Sequence, residues 1–165
     1  GTTTGTTTTA TEIDFGTLTA GVATTAAQDL TVQTNAKNGF VVTVTADGQL
    51  DSLTGADIDS FADGGDQGSP IGWSAPSATV GQENTYGHWG LTSDDTDHFA
   101  AEQTYVAAST SPVTVFSFGG PVDGVASPST GTSTTRVGYT VEISALQEAA
   151  TDYEATLTYV ATPTF

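Results

Sequence analysis

RVGYTVEIS at 136–144 and YEATLTYV at 153–160 are the two stretches that decide the fold class. In each stretch every second residue is apolar or aromatic, namely Val137, Tyr139, Val141 and Ile143, then Tyr153, Ala155, Leu157 and Tyr159. Because successive side chains of a strand point to opposite faces, this alternation predicts two half-buried strands. The connector at 145–152 is short, so we expect them to pair as a hairpin with Val141 and Leu157 in the core.

Similar patterns predict more strands elsewhere in the chain. The stretches 28–34 and 39–45 each place alternate apolar residues on one face, and the Asn38-Gly39 pair between them suits a tight turn. We therefore predict a first hairpin here. Further strands are expected at 113–118 and around 104–108.

The middle of the chain, from Asp47 to Gln103, loses this alternation among Gly, Asp, Ser and Pro. A compact domain rarely carries so long a span without structure, so short strands are expected inside it. No segment of useful length has the helical period. The sequence thus predicts an all-β chain: a single β-sandwich of jelly-roll type at 12–165 with long Asp/Gly-rich loops, preceded by an extended N-terminal segment at 1–11.

The charge is one-sided, with 2 Lys or Arg against 19 Asp or Glu and a formal net charge of −17. Nucleic-acid affinity comes largely from Lys and Arg that displace counterions, so no nucleic-acid partner is expected. No apolar run reaches about 18 residues, so no membrane insertion is expected. The chain has no Met, even at Gly1, which favours a secreted, extracellular or cell-surface protein whose signal peptide has been removed. Trimming of the chain for expression is the alternative.

Catalytic motifs are missing from the sequence. It holds no GxSxG elbow, P-loop, HExxH or dinucleotide fingerprint, and no Cys nucleophile. Paired carboxylates for glycoside hydrolysis stay open, because their separation is spatial. We expect a protein that is not an enzyme, with calcium as the one candidate cofactor.

Two acidic stretches are candidate calcium sites, because calcium takes about six to eight oxygen ligands from carboxylates and loop carbonyls. The candidate ligands are Asp57, Asp59, Asp63, Asp94, Asp95 and Asp97. Their spacing does not match an EF-hand, and solvated carboxylates that cap turns are the alternative. Two histidines without any Cys make structural zinc unexpected.

Trp73 and Trp89 are candidate glycan contacts in the irregular middle. Aromatic rings on loops can form platforms for sugar rings, which predicts a carbohydrate-binding or adhesive module. They can equally close the sandwich, where a large ring buries area that short strands cannot.

The N-terminal tract GTTTGTTTTAT at 1–11 has high β-propensity but lacks the large apolar residues of a self-sufficient strand. Such a segment can add to the open sheet edge of a neighbouring molecule. In the stretch that follows, Ile13 and Phe15 share a face opposite Glu12 and Asp14. The predicted subunit contacts are Thr2, Thr4, Thr6, Thr8, Ile13 and Phe15. An intramolecular edge strand and a glycosylated stalk are the alternatives.

Two longer stretches carry a resemblance. LTVQTNAKNGFVVTVTADGQL at 30–50 and VGYTVEISALQEAATDYEATLTYVATPTF at 137–165 resemble secreted bacterial surface proteins, in which such segments bracket a variable middle. The architecture is also similar to β-sandwich fibre subunits of the TasA and camelysin type and to donor-strand pilins.

The resemblance implies a structural subunit of an extracellular filament, pilus-like or of a biofilm, in which identical subunits assemble by strand donation. The runner-up is a surface carbohydrate-binding or adhesive module that contacts cell-surface or matrix glycans. Donor strands usually alternate large apolar residues, so either 2–9 or 12–18 could be the donated part.

Overall fold

The computed structural model describes residue 6 and residues 8–99, 103–124 and 133–165. Within these ranges the chain is almost entirely strands and loops, with one short 3-10 turn at Glu83–Thr85, so the predicted all-β class is confirmed. In chain order the strands are β1 (Thr24–Thr31), β2 (Gln33–Thr34), β3 (Phe40–Ala46), β4 (Leu50–Asp51), β5 (Asp57–Ser60), β6 (Ile71–Gly72), β7 (Gly87–Ser93), β8 (Thr104–Ala107), β9 (Val113–Phe118), β10 (Val122–Asp123), β11 (Thr134–Ile143) and β12 (Leu157–Pro163).

The larger sheet is built around β11 and β7. β11 lies between β1 and β7 and pairs antiparallel with both. The other side of β7 is shared, because β5 pairs parallel with it at His88 and Trp89, and β8 pairs antiparallel with it at Gly90 and Leu91. β4 extends the sheet beyond β5, and β6 pairs with β8.

The smaller sheet has three strands in the order β12, β3, β9, all antiparallel. The ladder between β3 and β9 shifts register between Val42 and Thr43. β2 and β10 form a separate two-stranded ribbon.

The core lies between the two sheets and is built from the residues that the alternation predicted. One continuous cluster joins inward residues of β3, β7, β9 and β11, and Val137, Tyr139 and Val141 are each 0 % exposed. The hydroxyls of Tyr139 and Tyr159, 2.6 Å apart, link the larger sheet to the smaller one. The fold is therefore β-sandwich-like, and the core position of Val141 is confirmed, while Leu157 is half-buried against the core.

Both predicted hairpins are wrong. β11 pairs with β1 and β7, whereas β12 pairs with β3 in the other sheet. The connector at 144–156 therefore crosses from one sheet to the other. Asn38-Gly39 does lie in a turn, with φ of 79° at Gly39, but it leads from the ribbon into β3. Alternation fixes the face that a strand buries and turn residues fix a reversal, but neither specifies the partner strand.

Short strands are present in the irregular middle, as expected. The most central of them, β7, had no alternating signal because all seven of its residues are buried, with both faces covered. Gly90 shows how close that covering is: a Cβ there would lie 2.6 Å from the Val106 carbonyl oxygen and 3.0 Å from the Phe61 Cβ. Only glycine permits this approach.

In the described part of the chain, no helix is long and apolar enough to cross a membrane.

Candidate functional site: the N-terminal segment and its groove

The N-terminal segment, defined here as residues 8–18, lies against one side of the sandwich. Ile13, Phe15 and Leu18 are half-buried and pack against the core cluster, whereas Glu12 and Asp14 are exposed. The predicted separation of apolar and acidic faces is thus present. Residues 12–18 do not form a strand, because Ile13 makes only an isolated bridge with Thr8.

The segment folds back on itself instead of adding to a sheet. The Thr9 N–H donates to the Glu12 carbonyl oxygen at 2.9 Å, closing a tight turn beside the Thr8–Ile13 bridge. Backbone groups used within this turn are not offered to a neighbouring strand. The segment is therefore held to the body mainly by side chains.

Two side-chain hydrogen bonds tie the segment to β1. The Thr8 Oγ1 donates to the Ala27 carbonyl oxygen at 2.6 Å, and the Gln28 Nε2 donates to the Thr9 carbonyl oxygen at 2.7 Å. Further along, the Gly21 N–H donates to the Ile143 carbonyl oxygen at 2.8 Å, which fixes the point where the chain enters the body.

A groove of about 1180 Å³ separates the segment from the body. One wall is the segment; the other is formed by Trp89 and Tyr139 of the larger sheet, Leu157 and Tyr159 of β12, and the connector at 144–156. Protein interiors are close-packed and leave few voids larger than a water molecule. The segment therefore fills this side of the sandwich only in part.

Two sheet edges flank the groove. Among the described strands, β1 pairs with β11 alone and β12 pairs with β3 alone. The Tyr139–Tyr159 bond places β11 opposite β12, so β1 and β12 border the same side of the sandwich. An edge strand presents backbone N–H and C=O groups that another strand can pair with.

The predicted subunit contacts divide between described and undescribed residues. Thr6, Thr8, Ile13 and Phe15 are half-buried in the structure, whereas Thr2 and Thr4 lie outside the described residues. Leu18 and Gln28 were missed. Gly16, with φ of 66°, breaks the alternation that begins at Ile13 and so hides Leu18, and a Gln in an edge strand carries no sequence signal.

The first group of predicted calcium ligands surrounds Asp59 on β5. Burial, followed by the negative charges of Asp57, Asp63 and Glu83, raises the pKa of Asp59 to about 6. Burial and the charge of Asp51 also raise the pKa of Asp57. These carboxylates repel one another, which costs stability at neutral pH.

The second group, Asp94, Asp95 and Asp97, lies in the turn after β7. Asp95 Oδ1 accepts the Asp97 N–H at 3.0 Å, and its Oδ2 accepts the Ser117 N–H at 2.8 Å. Asp95 therefore caps the turn and ties it to β9. Across both groups and the rest of the described chain, no three His, Asp or Glu side chains are arranged to hold a metal ion.

The two tryptophans lie on opposite faces of the larger sheet. Trp89 is 2 % exposed in the core, so its ring is not available at the surface. Trp73 covers the outer face: it stacks on Phe61 with centroids 4.6 Å apart and planes at 5°, and its Nε1 donates to the Glu142 Oε2 at 2.7 Å. Trp73 therefore closes the outer face of the sheet.

His88, which is 0 % exposed, holds the same covering loop in place. Its Nδ1 accepts the Asp63 N–H at 3.1 Å, and its Nε2 lies 2.8 Å from the Ser74 carbonyl oxygen. Because Nδ1 accepts a backbone N–H, Nε2 is the nitrogen that donates to the Ser74 carbonyl oxygen. The imidazole thus joins both ends of the loop between Asp63 and Ser74.

Comparisons of the chain with protein-family models, with curated proteins and with solved structures found no match.

Proposed function

We propose that this protein is a structural subunit of an extracellular filament, pilus-like or part of a biofilm fibre, assembled from identical subunits by strand donation. The observation that supports this most is the apolar N-terminal segment, which lies over a partly filled groove between two sheet edges. The body of the subunit would be a sandwich of jelly-roll type that carries no chemistry of its own.

Strand donation suits the energetics of this segment. A ladder hydrogen bond contributes about 0.5 to 1.5 kcal/mol net, so a donated strand of about ten residues can hold two subunits firmly without a large interface. Burial of Ile13, Phe15 and Leu18 adds to this. A head-to-tail contact of this kind is heterologous, so it propagates into an open filament unless its rotation closes a ring.

The charge of the subunit fits an extracellular, salt-containing environment. A formal charge of −17 on each copy opposes association. At physiological ionic strength the screening length falls to about 8 Å, which relieves repulsion between copies. Assembly should therefore be faster at physiological than at low salt.

The carbohydrate-binding or adhesive module is the weaker proposal. The Trp89 ring lies in the core, and one face of Trp73 is covered by Phe61. Trp89 is therefore not available to a sugar, and Trp73 offers at most one ring face.

Electron microscopy of the full chain, in low and in physiological salt, tests the proposal. We expect filaments from the full chain and a folded monomer from a variant that lacks residues 1–18. A variant that lacks only 1–11 keeps Ile13 and Phe15, so its assembly shows whether the Thr tract is needed. A full chain that stays monomeric under all these conditions would contradict the proposal. Glycan binding that is lost in Trp73→Ala, without any filaments, would favour the module.

A further inference from the structure

We infer that the groove beside β1 accepts residues 8–18 of a second copy of this chain, and that the segment seated on its own body is the closed form of the same contact. The inference rests on the proposed function. It names the donated segment, the surface that receives it, and the contact that must open before assembly.

Identity of the chains makes the exchange feasible. Each contact that residues 8–18 make with their own body is available from another copy: the packing of Ile13, Phe15 and Leu18 on the core, and the bonds to Ala27 and Gln28. Exchange of an identical element between copies therefore preserves these contacts and is a low-cost route to association. The linker must straighten, and the turn between Thr9 and Glu12 must open where the segment is to form a ladder.

The linker at 19–23 is suited to such a change. All five of its residues are exposed, and the turn within it is held by one bond from the Val22 N–H to the Thr19 carbonyl oxygen at 3.1 Å. Gly21 has φ of 74°, and no atom lies within 4 Å of the position that a Cβ would take there. Straightening the linker therefore breaks two backbone bonds, Val22 to Thr19 and Gly21 to Ile143, but displaces no buried side chain of the linker.

The exchanged form offers contacts that the closed form cannot make. In the closed form the short linker leads into the body at Gly21 and the segment turns back at Thr9 and Glu12, leaving the groove of about 1180 Å³ partly filled. At about 3.3 Å per residue, an extended 8–18 segment would span roughly 35 Å, which matches or exceeds the length of β1. A segment from a second copy can thus lie along the β1 edge and form a backbone ladder there.

The alternation of apolar and acidic residues also selects which face of the segment meets the groove. Ile13 and Phe15 face the groove, and Glu12 and Asp14 face solvent. A slip of one residue would bring the two carboxylates against the core, which is costly. This alternation therefore fixes which face of the donated segment meets the groove.

Cysteine cross-linking tests the contact directly, because the chain has no Cys and any introduced pair reports one contact. The chosen positions are Thr9 and Gln28, where the Gln28 Nε2 and the Thr9 carbonyl oxygen are 2.7 Å apart. Thr9→Cys/Gln28→Cys in one full-length chain traps the closed form by a disulfide or a short bis-maleimide. The single variants Thr9→Cys and Gln28→Cys, mixed during assembly, report exchange between copies. Thr9→Cys mixed with Val80→Cys is the control, since Val80 is 83 % exposed and does not line the groove.

We expect the cross-linked double variant to assemble at least about tenfold more slowly than the same protein with its thiols reduced, and the mixed single variants to give 9–28 links between chains in the filaments. Assembly at an equal rate by the cross-linked and reduced forms would overturn the inference. So would filaments without links between chains, which would leave another segment or an unrelated partner as the occupant.

Failure of the proposed function gives a different result. If the wild-type chain forms no filaments, the mixed single variants are concentrated and their dimers are isolated by size exclusion. A 9–28 link between chains in those dimers would support exchange even though the filament proposal had failed. Links confined to single chains of the double variant would overturn the exchange as well.

Discussion

The strand β11 and the N-terminal segment use the same kind of pattern to different ends. In β11, Val137, Tyr139 and Val141 point into the core, and ladders on both sides hold the strand. In the segment, Ile13 and Phe15 also point inward, but side-chain bonds to β1 replace a ladder. Apolar alternation therefore predicts which side chains are buried, whereas a backbone ladder is what holds the strand firmly in that position.

The largest expected effect comes from a charge placed in the core. Val141→Asp should unfold the domain, because an unpaired buried carboxylate costs several kcal/mol or must take up a proton. Ile13→Asp should lower the free energy of unfolding by no more than about 2 kcal/mol, because the half-buried segment can detach with its charge. Urea unfolding followed by circular dichroism measures both. Equal losses in the two variants would remove the distinction between body and segment.

A smaller effect is expected on the outer face of the larger sheet. Trp73→Ala should destabilise the body by about 2 to 4 kcal/mol, since it removes the stack on Phe61 and leaves the buried Glu142 carboxylate without its indole donor. Trp73→Phe keeps a ring on Phe61 and should recover part of the loss. Thermal unfolding of the two variants checks this. A Trp73→Ala protein as stable as the wild type would show that the Trp73 ring does not stabilise the larger sheet.

The smallest change in stability concerns Asp59. Its folded-state pKa, about 6, lies above the ordinary value of 3.8, so the folded state binds this proton more tightly than the unfolded state does. The resulting contribution to the free energy of unfolding is fully present below about pH 4 and is lost as the pH rises through 6. Asp59→Asn should therefore stabilise the body at pH 7 by about 1 kcal/mol, allowing for solvent screening, and should give little change at pH 4. Assembly should be unaffected, because Asp59 is not in the segment.

Melting temperatures of wild type and Asp59→Asn, measured from pH 4 to pH 7, test the sign. The comparison must be between the two proteins, because hydrogen bonds from Thr156 and Ser52 lower the pKa values of Asp47 and Asp152, which favours the folded state as pH rises. A variant that is less stable than the wild type at pH 7 would contradict the repulsion among Asp57, Asp59 and Asp63.

The sequence predicted which face of each strand is buried better than it predicted which strands pair. The strand at 113–118 has the predicted bounds, and the inward residues of β3 and β11 were identified from alternation alone. Strand pairing was not predictable, because the connector at 144–156 spans two sheets and its length does not reveal this. The strand β7 was not predicted, because it is buried on both faces and contains two glycines that allow close packing.

The sequence predicted only part of the candidate site, because alternation reports the buried face of a segment and not the surface beneath it. Ile13 and Phe15 were identified by their shared face, but the groove beneath them is formed by Tyr139, Leu157 and the connector, which are distant in the sequence. Trp89 shows the opposite limit: its residue type suggested a surface platform, and its place in a central strand puts it in the core. Residue type indicates what a side chain can do, and topology decides whether it is exposed.

The most direct test of strand donation uses the full chain with Ile13→Asp and Phe15→Asp together, beside Val80→Asp as a control at an exposed apolar position that does not line the groove. Electron microscopy and sedimentation at physiological salt measure assembly, and thermal unfolding measures the fold. We expect the double variant to stay folded and to form no filaments, while Val80→Asp assembles as the wild type does. A folded double variant that polymerises like the wild type would contradict strand donation by this segment.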